Sequence, residues 1–199
     1  MTDDKRKADG ERARAKSKRR VRPRLPGDLG PRALVERTIR VDHAGEYGAR
    51  RIYEGQLAVL GRGRSAATLL HMHAQELRHL RAFETLMVER RVRPTLLQPL
   101  WHVAGFALGA GTALLGEKAA MACTVAVEEV IDEHYARQAE RLGADEAPLQ
   151  ETIEEFRQEE LEHRDTALAA GAEQAPGYTL LSGAVKAGSR LAIWLSERL

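Results

Sequence analysis

A repeated arrangement of glutamate and histidine constrains the fold of this chain more than any other feature. Two Glu-x-x-His motifs occur, and a lone glutamate precedes the first by 30 residues and the second by 32. The six residues are Glu46, Glu76, His79, Glu128, Glu160 and His163. Two such motifs are close to what chance gives in a glutamate-rich chain, so their weight depends on where they fall. The repeated order would let four antiparallel helices bring the six polar side chains together.

Helical periodicity predicts that both motifs face a core. Residues of the second stripe follow steps of three and four: Leu149, Ile153, Phe156, Glu160, His163 and Ala167. The first stripe is Leu69, Met72, Glu76, His79, Phe83 and Met87. An unpaired buried carboxylate is costly and would normally take up a proton. Four glutamates balance the charge of two Fe(II) ions, so the pattern predicts a buried iron pair.

The residue types suit iron that reacts with O2. Carboxylates are hard anionic ligands that stabilise Fe(III), one imidazole per iron leaves positions open, and the lack of thiolates disfavours zinc. We assign Glu46, Glu76 and His79 mainly to one iron. Glu128, Glu160 and His163 are assigned to the other, and Glu76 and Glu160 are the predicted bridges.

Several neighbouring residues compete for roles near this site. Glu129 is an alternative to Glu128, but helical steps place Glu128 inward, on one face with Asp132 and Tyr135. Asp132, Tyr135 and Asp42 are therefore candidates for orienting a ligand. The alternative for these three is ordinary capping, salt bridging or packing.

The remaining pattern predicts an all-α fold without strands. We expect a ferritin-like four-helix bundle with a di-iron centre, plus two additional apolar or amphipathic helices, one of which is the crossover between the halves of the bundle. Ser65 is expected to cap the second helix. The expected helices cover about 33–60, 66–91, 96–115, 117–142, 148–170 and 179–199.

The N-terminal region differs from the rest in composition. Residues 1–28 contain eleven Lys/Arg against five Asp/Glu and almost no large apolar side chains, so we expect a basic disordered arm over 1–30 and a folded domain over 31–199. The arm lacks a secretory core, and its acids disfavour a mitochondrial transit peptide. It is either a solvated tail or attracted to anionic lipid; no aromatic or fold signal favours nucleic acid. The single Cys123 fits a reducing compartment.

Two segments carry apolar surface that the bundle does not need. Segment 96–115 is strongly apolar, and 179–199 is amphipathic with Trp194 as a possible interfacial anchor. We expect both to lie in a membrane interface; the alternative is burial between the subunits of a homo-oligomer.

At the motifs, the chain resembles the demethoxyubiquinone hydroxylases, ferritin-like di-iron enzymes of ubiquinone biosynthesis. The resemblance covers about 37–199 and lies in the strings Arg-Val-Asp-His-Ala-Gly-Glu-Tyr-Gly-Ala from residue 40, Ala-Met-Ala-Cys-Thr-Val-Ala-Val-Glu-Glu from 120 and Glu-Glu-Leu-Glu-His from 159. It gives the same six ligands, and His134 and Tyr135 match a pair near the family's metal centre.

The resemblance implies hydroxylation of a demethoxyubiquinone-type quinol in the penultimate step of the pathway. It also implies O2 as co-substrate, NADH or the quinol as electron donor, and a lipid-binding partner protein. We expect a peripheral protein on the cytoplasmic face of a bacterial inner membrane. The alternatives are a ferritin-like iron-oxidising or storage protein and a non-catalytic lipid-binding helical module.

Overall fold

The structure, a computed structural model, describes residues 27–199, and most of the predicted basic arm at 1–30 therefore lies outside the described residues. Six α-helices and no strand occur in the described part of the chain, which confirms the all-α prediction. The helices are α1 (Pro31–Leu60), α2 (Ala66–Arg90), α3 (Gln98–Leu114), α4 (Glu117–Arg141), α5 (Ala147–Ala169) and α6 (Tyr178–Ser196). Short 3-10 turns at Ala144–Glu146 and Ala172–Gln174 flank α5.

Local sequence explains where most helices begin and end. Pro31 occupies the first turn of α1, where its missing N–H removes no helical hydrogen bond. Gly171, after α5, adopts the left-handed conformation with φ 87°, which favours glycine. Ser65 stands at the N-cap of α2 as predicted, but it makes no capping hydrogen bond because its hydroxyl donates to Glu117 instead.

The bundle consists of two antiparallel hairpins, α1–α2 and α4–α5. Two apolar layers join all four helices. One combines the start of α1 with the end of α2, as in Ile39 and Phe83, and the other combines the end of α1 with the start of α2, as in Tyr53 and Leu69. The polar positions of both motif stripes fall between these layers, so the hydrophobic effect aligns the four helices around one central polar layer.

Helix α3 connects the two hairpins and lies against α1 at very short distance. A Cβ atom added at Gly109 would overlap the carbonyl oxygen of Ile52, and one added at Gly55 would overlap that of Phe106. A Cβ at Gly105 would lie 2.8 Å from the carbonyl oxygen of Gly48. Glycine is therefore required at this contact, which seats the apolar crossover helix directly on the bundle.

The outer faces of α3 and α6 remain exposed and apolar. Helix α6 packs on α4, and its end meets the start of α3, where Trp101 Nε1 donates to Ser196 Oγ at 3.0 Å. No helix within residues 27–199 has both the length and the hydropathy needed to cross a bilayer. The exposed large apolar residues on or beside these two helices are Leu96, Leu100, Val103, Leu114, Leu115, Leu180, Leu191, Trp194 and Leu199.

Candidate metal centre

The six predicted ligands lie together in the central polar layer. Each is at most 2% exposed, although all are ionisable. Their ligand atoms form two overlapping groups, and within each group these atoms lie within 4.8 Å of one another. The first group is Glu46, Glu76, His79 and Glu160, and the second is Glu76, Glu128, Glu160 and His163. Glu76 and Glu160 belong to both groups, as expected for bridging carboxylates.

Both imidazoles turn Nδ1 towards the cluster. His79 Nδ1 lies 3.1 Å from Glu160 Oε1 and 3.4 Å from Glu46 Oε2. His163 Nδ1 lies 3.0 Å from Glu160 Oε2 and 3.3 Å from Glu76 Oε1. Glu160 therefore stands between the two rings, with one carboxylate oxygen towards each, which is the placement that a bridging ligand needs.

Unpartnered carboxylate oxygens provide a test of whether a metal pair fits. Within residues 27–199, four buried oxygens of the cluster have no hydrogen-bond donor: Glu46 Oε2, both oxygens of Glu76 and Glu128 Oε2. A buried acceptor without a partner is costly, and such groups are rare in folded proteins. A divalent cation at each group would satisfy these oxygens, and carboxylate-rich sites with one imidazole suit iron or manganese. The donor set therefore fits a metal pair.

Burial and neighbouring charges shift the pKa values of the carboxyl and imidazole groups in the metal-free cluster. Burial, reinforced by neighbouring Glu160, raises the pKa of Glu76 and of Glu128 well above the usual value. Burial acts to lower the pKa of His79, but the hydrogen bond to Glu160 and the negative charge of Glu46 raise it to about 12. Burial acts to raise the pKa of Glu160, but hydrogen bonds from His163 and His79 lower it to about 2. The metal-free cluster therefore retains protons that a cation would displace.

Two tyrosines hold the lone glutamates from across the bundle. Tyr135 on α4 donates to Glu46 Oε1 on α1, and Tyr53 on α1 donates to Glu128 Oε1 on α4 at 3.0 Å. The structure thus places Tyr135 where the sequence predicted. Tyr53 was missed, although a signal existed: in each hairpin a tyrosine follows the lone glutamate by seven residues.

His134 lies beside the cluster without touching any of the six residues by hydrogen bond. Its Nε2 lies 3.4 Å from Asp42 Oδ1 and 2.8 Å from Gln138 Nε2, which also donates to Asp42 Oδ1 at 2.7 Å. Burial raises the pKa of Asp42. Asp42 and His134 therefore form a separate buried polar group, which begins one helical turn before Glu46.

Two acidic neighbours on α4 point away from the cluster. Asp132, predicted as a ligand-orienting residue, instead accepts from Arg157 Nε at 2.6 Å on the outside of the bundle. That prediction is wrong, and the salt-bridge alternative is right. Glu129 pairs with Lys186 of α6, so Glu128 is the inward member of the two, as the helical steps predicted.

The outer nitrogens of both imidazoles find partners that the sequence reasoning missed. His79 Nε2 lies 3.1 Å from Glu159 Oε2, and His163 Nε2 lies 3.0 Å from Gln75 Oε1. Both partners directly precede the glutamate of a Glu-x-x-His motif, and each reaches the histidine of the opposite motif. This shared position is the signal that could have identified them.

Comparison with known proteins gives a match over nearly all of the described chain. Residues 33–196 match the sequence profile of the family described as Ubiquinone biosynthesis protein COQ7. A 3-demethoxyubiquinol 3-hydroxylase of Rhodospirillum rubrum is 65% identical over 187 residues, which cover 93% of this chain and 88% of that protein. The mitochondrial NADPH-dependent 3-demethoxyubiquinone 3-hydroxylase of Homo sapiens is 57% identical, with 84% of this chain and 79% of the human protein covered. The mitochondrial 5-demethoxyubiquinone hydroxylase of Saccharomyces cerevisiae is 44% identical over the same shares.

Proposed function

This chain belongs to the COQ7 family of ubiquinone biosynthesis proteins, and we propose that it hydroxylates the ring of a demethoxyubiquinone-type quinol. The observation that carries the proposal is the buried cluster of four glutamates and two histidines, in a chain whose relatives are named for this hydroxylation. In such a reaction one oxygen atom of O2 becomes the ring hydroxyl and the other becomes water. Two electrons and two protons complete the balance.

The proposed cofactor is a pair of iron ions held by the six residues. Glu46 and His79 would belong to one position, Glu128 and His163 to the other, and Glu76 and Glu160 to both. When bound, two ferrous ions supply the electrons that O2 accepts too slowly from ordinary organic molecules.

The surrounding residues prepare this site in three ways. Tyr53 and Tyr135 each donate to one oxygen of a lone glutamate, which leaves the second oxygen turned towards the metal position. His79 stacks on Phe156 with ring centroids 4.0 Å apart, which fixes the plane of the imidazole. The apolar layers above and below keep water from the cluster, so the carboxylates meet a cation rather than solvent.

A labelling experiment tests the reaction directly. The ferrous protein is given demethoxyubiquinol and ¹⁸O₂, with NADH, NADPH or no nucleotide as the electron source, and the product is analysed by mass spectrometry. We expect one ¹⁸O atom in the new ring hydroxyl. Unlabelled product or no product would contradict the proposal and would favour iron storage or non-catalytic lipid binding.

Substitution of a shared glutamate tests the ligand set. Glu160→Ala should lose turnover and bound iron but keep its helical circular dichroism, because the helices are held by the apolar layers on both sides. Glu162→Ala is the matched control, since Glu162 lies on the same helix and is exposed. Retained turnover in the Glu160 variant would remove this residue from the ligand set.

We also propose that the exposed apolar faces of α3 and α6, within segments 96–115 and 179–199, attach the protein to the cytoplasmic face of a bacterial inner membrane. An isoprenoid quinol resides in the bilayer, so an enzyme that acts on its ring gains from lying at the surface. Trp194 is 51% exposed on α6 with Arg198 4.1 Å above its ring, a pairing suited to a membrane interface. A lipid-binding partner protein is a further proposal for the delivery of the substrate.

Vesicle binding tests this attachment. Leu100→Ser and Leu180→Ser should each weaken sedimentation with phosphatidylethanolamine–phosphatidylglycerol vesicles about 10- to 150-fold, since burying one leucine contributes roughly 1.5–3 kcal/mol. Val88→Ser is the control, because Val88 is 80% exposed but lies on α2. An equal loss in all three variants would contradict the assignment. If the faces instead join two copies, the two leucine variants would dissociate a dimer in sedimentation equilibrium.

A further inference from the structure

The two imidazoles of the cluster differ in the acceptor that each outer nitrogen finds. Because Nδ1 of both rings faces the cluster, Nε2–H is the outward donor in each. For His79 the acceptor is a carboxylate, Glu159 Oε2 at 3.1 Å; for His163 it is an amide oxygen, Gln75 Oε1 at 3.0 Å. A hydrogen bond to a carboxylate is charge-assisted and makes the imidazole the stronger ligand.

This difference occurs at equivalent positions of the two hairpins. Gln75 directly precedes Glu76, and Glu159 directly precedes Glu160. Each crosses to the histidine of the other motif, so the fold provides one outer acceptor for each ring. The chain fills one of these positions with a charged residue and the other with a neutral one.

The orientation of the amide is fixed by its neighbours. Gln75 Nε2 donates to Glu159 Oε2 at 3.0 Å, so Gln75 Oε1 must face His163. Turning the amide over would place its oxygen against the carboxylate and its NH2 against an N–H donor. A continuous hydrogen-bonded chain therefore runs from His79 through Glu159 and Gln75 to His163.

Arg78 adds a second inequality. Its guanidinium pairs with Glu159, which keeps that carboxylate in its charged form and fixes its position. The equivalent position in the other motif is Glu162, two residues after Glu160, and this residue is exposed. A guanidinium thus supports the acceptor of His79 but not that of His163.

We propose that Glu159 and Gln75 are positioning residues that make the two metal positions unequal, with the His79 position binding Fe(II) more tightly than the His163 position. The inference rests on the iron pair of the proposed function and adds an order of filling to it. At half loading, iron occupies the His79 position first.

Anaerobic titration with ⁵⁷Fe(II), followed by Mössbauer spectroscopy, tests the order. The wild-type protein should show two binding steps and one dominant doublet at half loading. Glu159→Gln should weaken the tighter step about 10- to 100-fold, the usual effect of losing such an outer partner, and give two doublets of similar area. The exchange variant Gln75→Glu/Glu159→Gln keeps one amide donor facing one carboxylate and should reverse the order of filling.

A matched control separates this effect from a general loss of charge. Glu155 lies on α5, as Glu159 does, and its carboxylate is 3.3 Å from Arg78. Glu155→Gln removes this carboxylate without touching either histidine, so both binding steps should stay within about twofold of wild type. Circular dichroism checks that every variant is folded, and the exchange variant tests the proposal by a reversed order of filling if Glu159→Gln alone unfolds.

Three outcomes would overturn the proposal. The first is a Glu159→Gln variant that weakens both steps equally or neither step. The second is a wild-type protein that binds two irons and hydroxylates the quinol but shows one affinity for both; this leaves the proposed function intact. The third is a wild-type protein that binds no iron, which overturns both.

Discussion

Loading of the metal-free protein with Fe(II) at pH 7 should release more than one and up to four protons for every two ions. An imidazole must lose its proton before its nitrogen binds a metal, and a carboxyl group must be ionised. Hydrogen bonds to carboxylates raise the pKa of His79 to about 12, against the effect of burial, and they also raise that of His163. Burial raises the pKa of Glu76 and of Glu128. His79 is therefore protonated at pH 7, and for Glu76, Glu128 and His163 the raised pKa favours retention of a proton.

The charge balance of the cluster gives the magnitude. Glu160 contributes no proton, because two imidazoles hold its pKa at about 2. The upper limit is four protons, and at that limit the net charge of the buried layer stays the same when two Fe(II) ions enter. The product of the two association constants should rise about tenfold per pH unit for each proton released, which corresponds to about 1.4 kcal/mol per proton.

Anaerobic calorimetric titration in buffers of different ionisation enthalpy measures the number. The slope of observed enthalpy against buffer enthalpy gives the protons released. Glu162→Gln, an exposed substitution on α5, should leave the slope at the wild-type value. Glu76→Gln removes one titrating group and should reduce the slope by about one wherever the variant still binds. A wild-type slope of one or less would refute the reasoning, because the cluster would then be ionised before the metal arrives.

Three further predictions concern stability and the tyrosines. Gly109→Ala should destabilise the protein by about 1–3 kcal/mol in urea unfolding, because the added Cβ meets the backbone of α1. Gly111→Ala has open space around the added Cβ and should stabilise the protein by about 0.5–1 kcal/mol. Similar values for the two variants would contradict the close packing of α3 on α1. Tyr53→Phe should lower affinity for one Fe(II) about 10- to 100-fold through loss of the donor to Glu128. Tyr178→Phe should leave both affinities unchanged, because the groups around the Tyr178 hydroxyl are Glu129, Glu173, Lys186 and Ser182 and not the six predicted ligands. In the metal-free protein the pKa values of Glu76, Glu128, His79 and His163 are raised above the ordinary 4.5 for glutamate and 6.5 for histidine. The folded protein holds these protons more tightly than the unfolded chain, so stability is lost as pH rises through the folded pKa values. The thermal midpoint should therefore fall from pH 6 to pH 9, and iron loading should remove this fall.

The helices and their inward faces were predictable because both depend on local sequence. Apolar residues at steps of three and four define the buried stripe, and glycine or proline near the ends limits each helix. The close approach of α3 to α1 was not predictable in the same way. Gly55 and Gly109 lie on different helices, and only the packed structure shows that each faces the backbone of the other helix.

The site was predictable in its ligands but not in the contacts between helices. A stripe tells which side chains point inward, so Glu128 could be chosen over Glu129. It does not tell which residue of another helix lies opposite, and this is why Asp132 was misassigned. Tyr53 and Glu128 are 75 residues apart, and only the packing of α1 on α4 brings them to 3.0 Å.

The internal repeat nevertheless extends well beyond the six ligands. A tyrosine follows each lone glutamate by seven residues, and a glutamine follows by ten. Gln138 Nε2 donates to Asp42 Oδ1 at 2.7 Å, and its counterpart Gln56 Nε2 lies 3.4 Å from Thr124 Oγ1. Asp42 and Thr124 each stand four residues before a lone glutamate. Each hairpin therefore supplies a glutamine that contacts the residue four positions before the lone glutamate of the other hairpin.

Two departures from this repeat place an acidic residue on the same side. Asp42 replaces threonine one turn before Glu46, and Glu159 replaces glutamine as the acceptor of His79. Both acidic residues thus lie near the same metal position, beyond its ligands. Outer carboxylates on one side would make the two metal positions unequal, and the Fe(II) titration of Glu159→Gln measures this inequality.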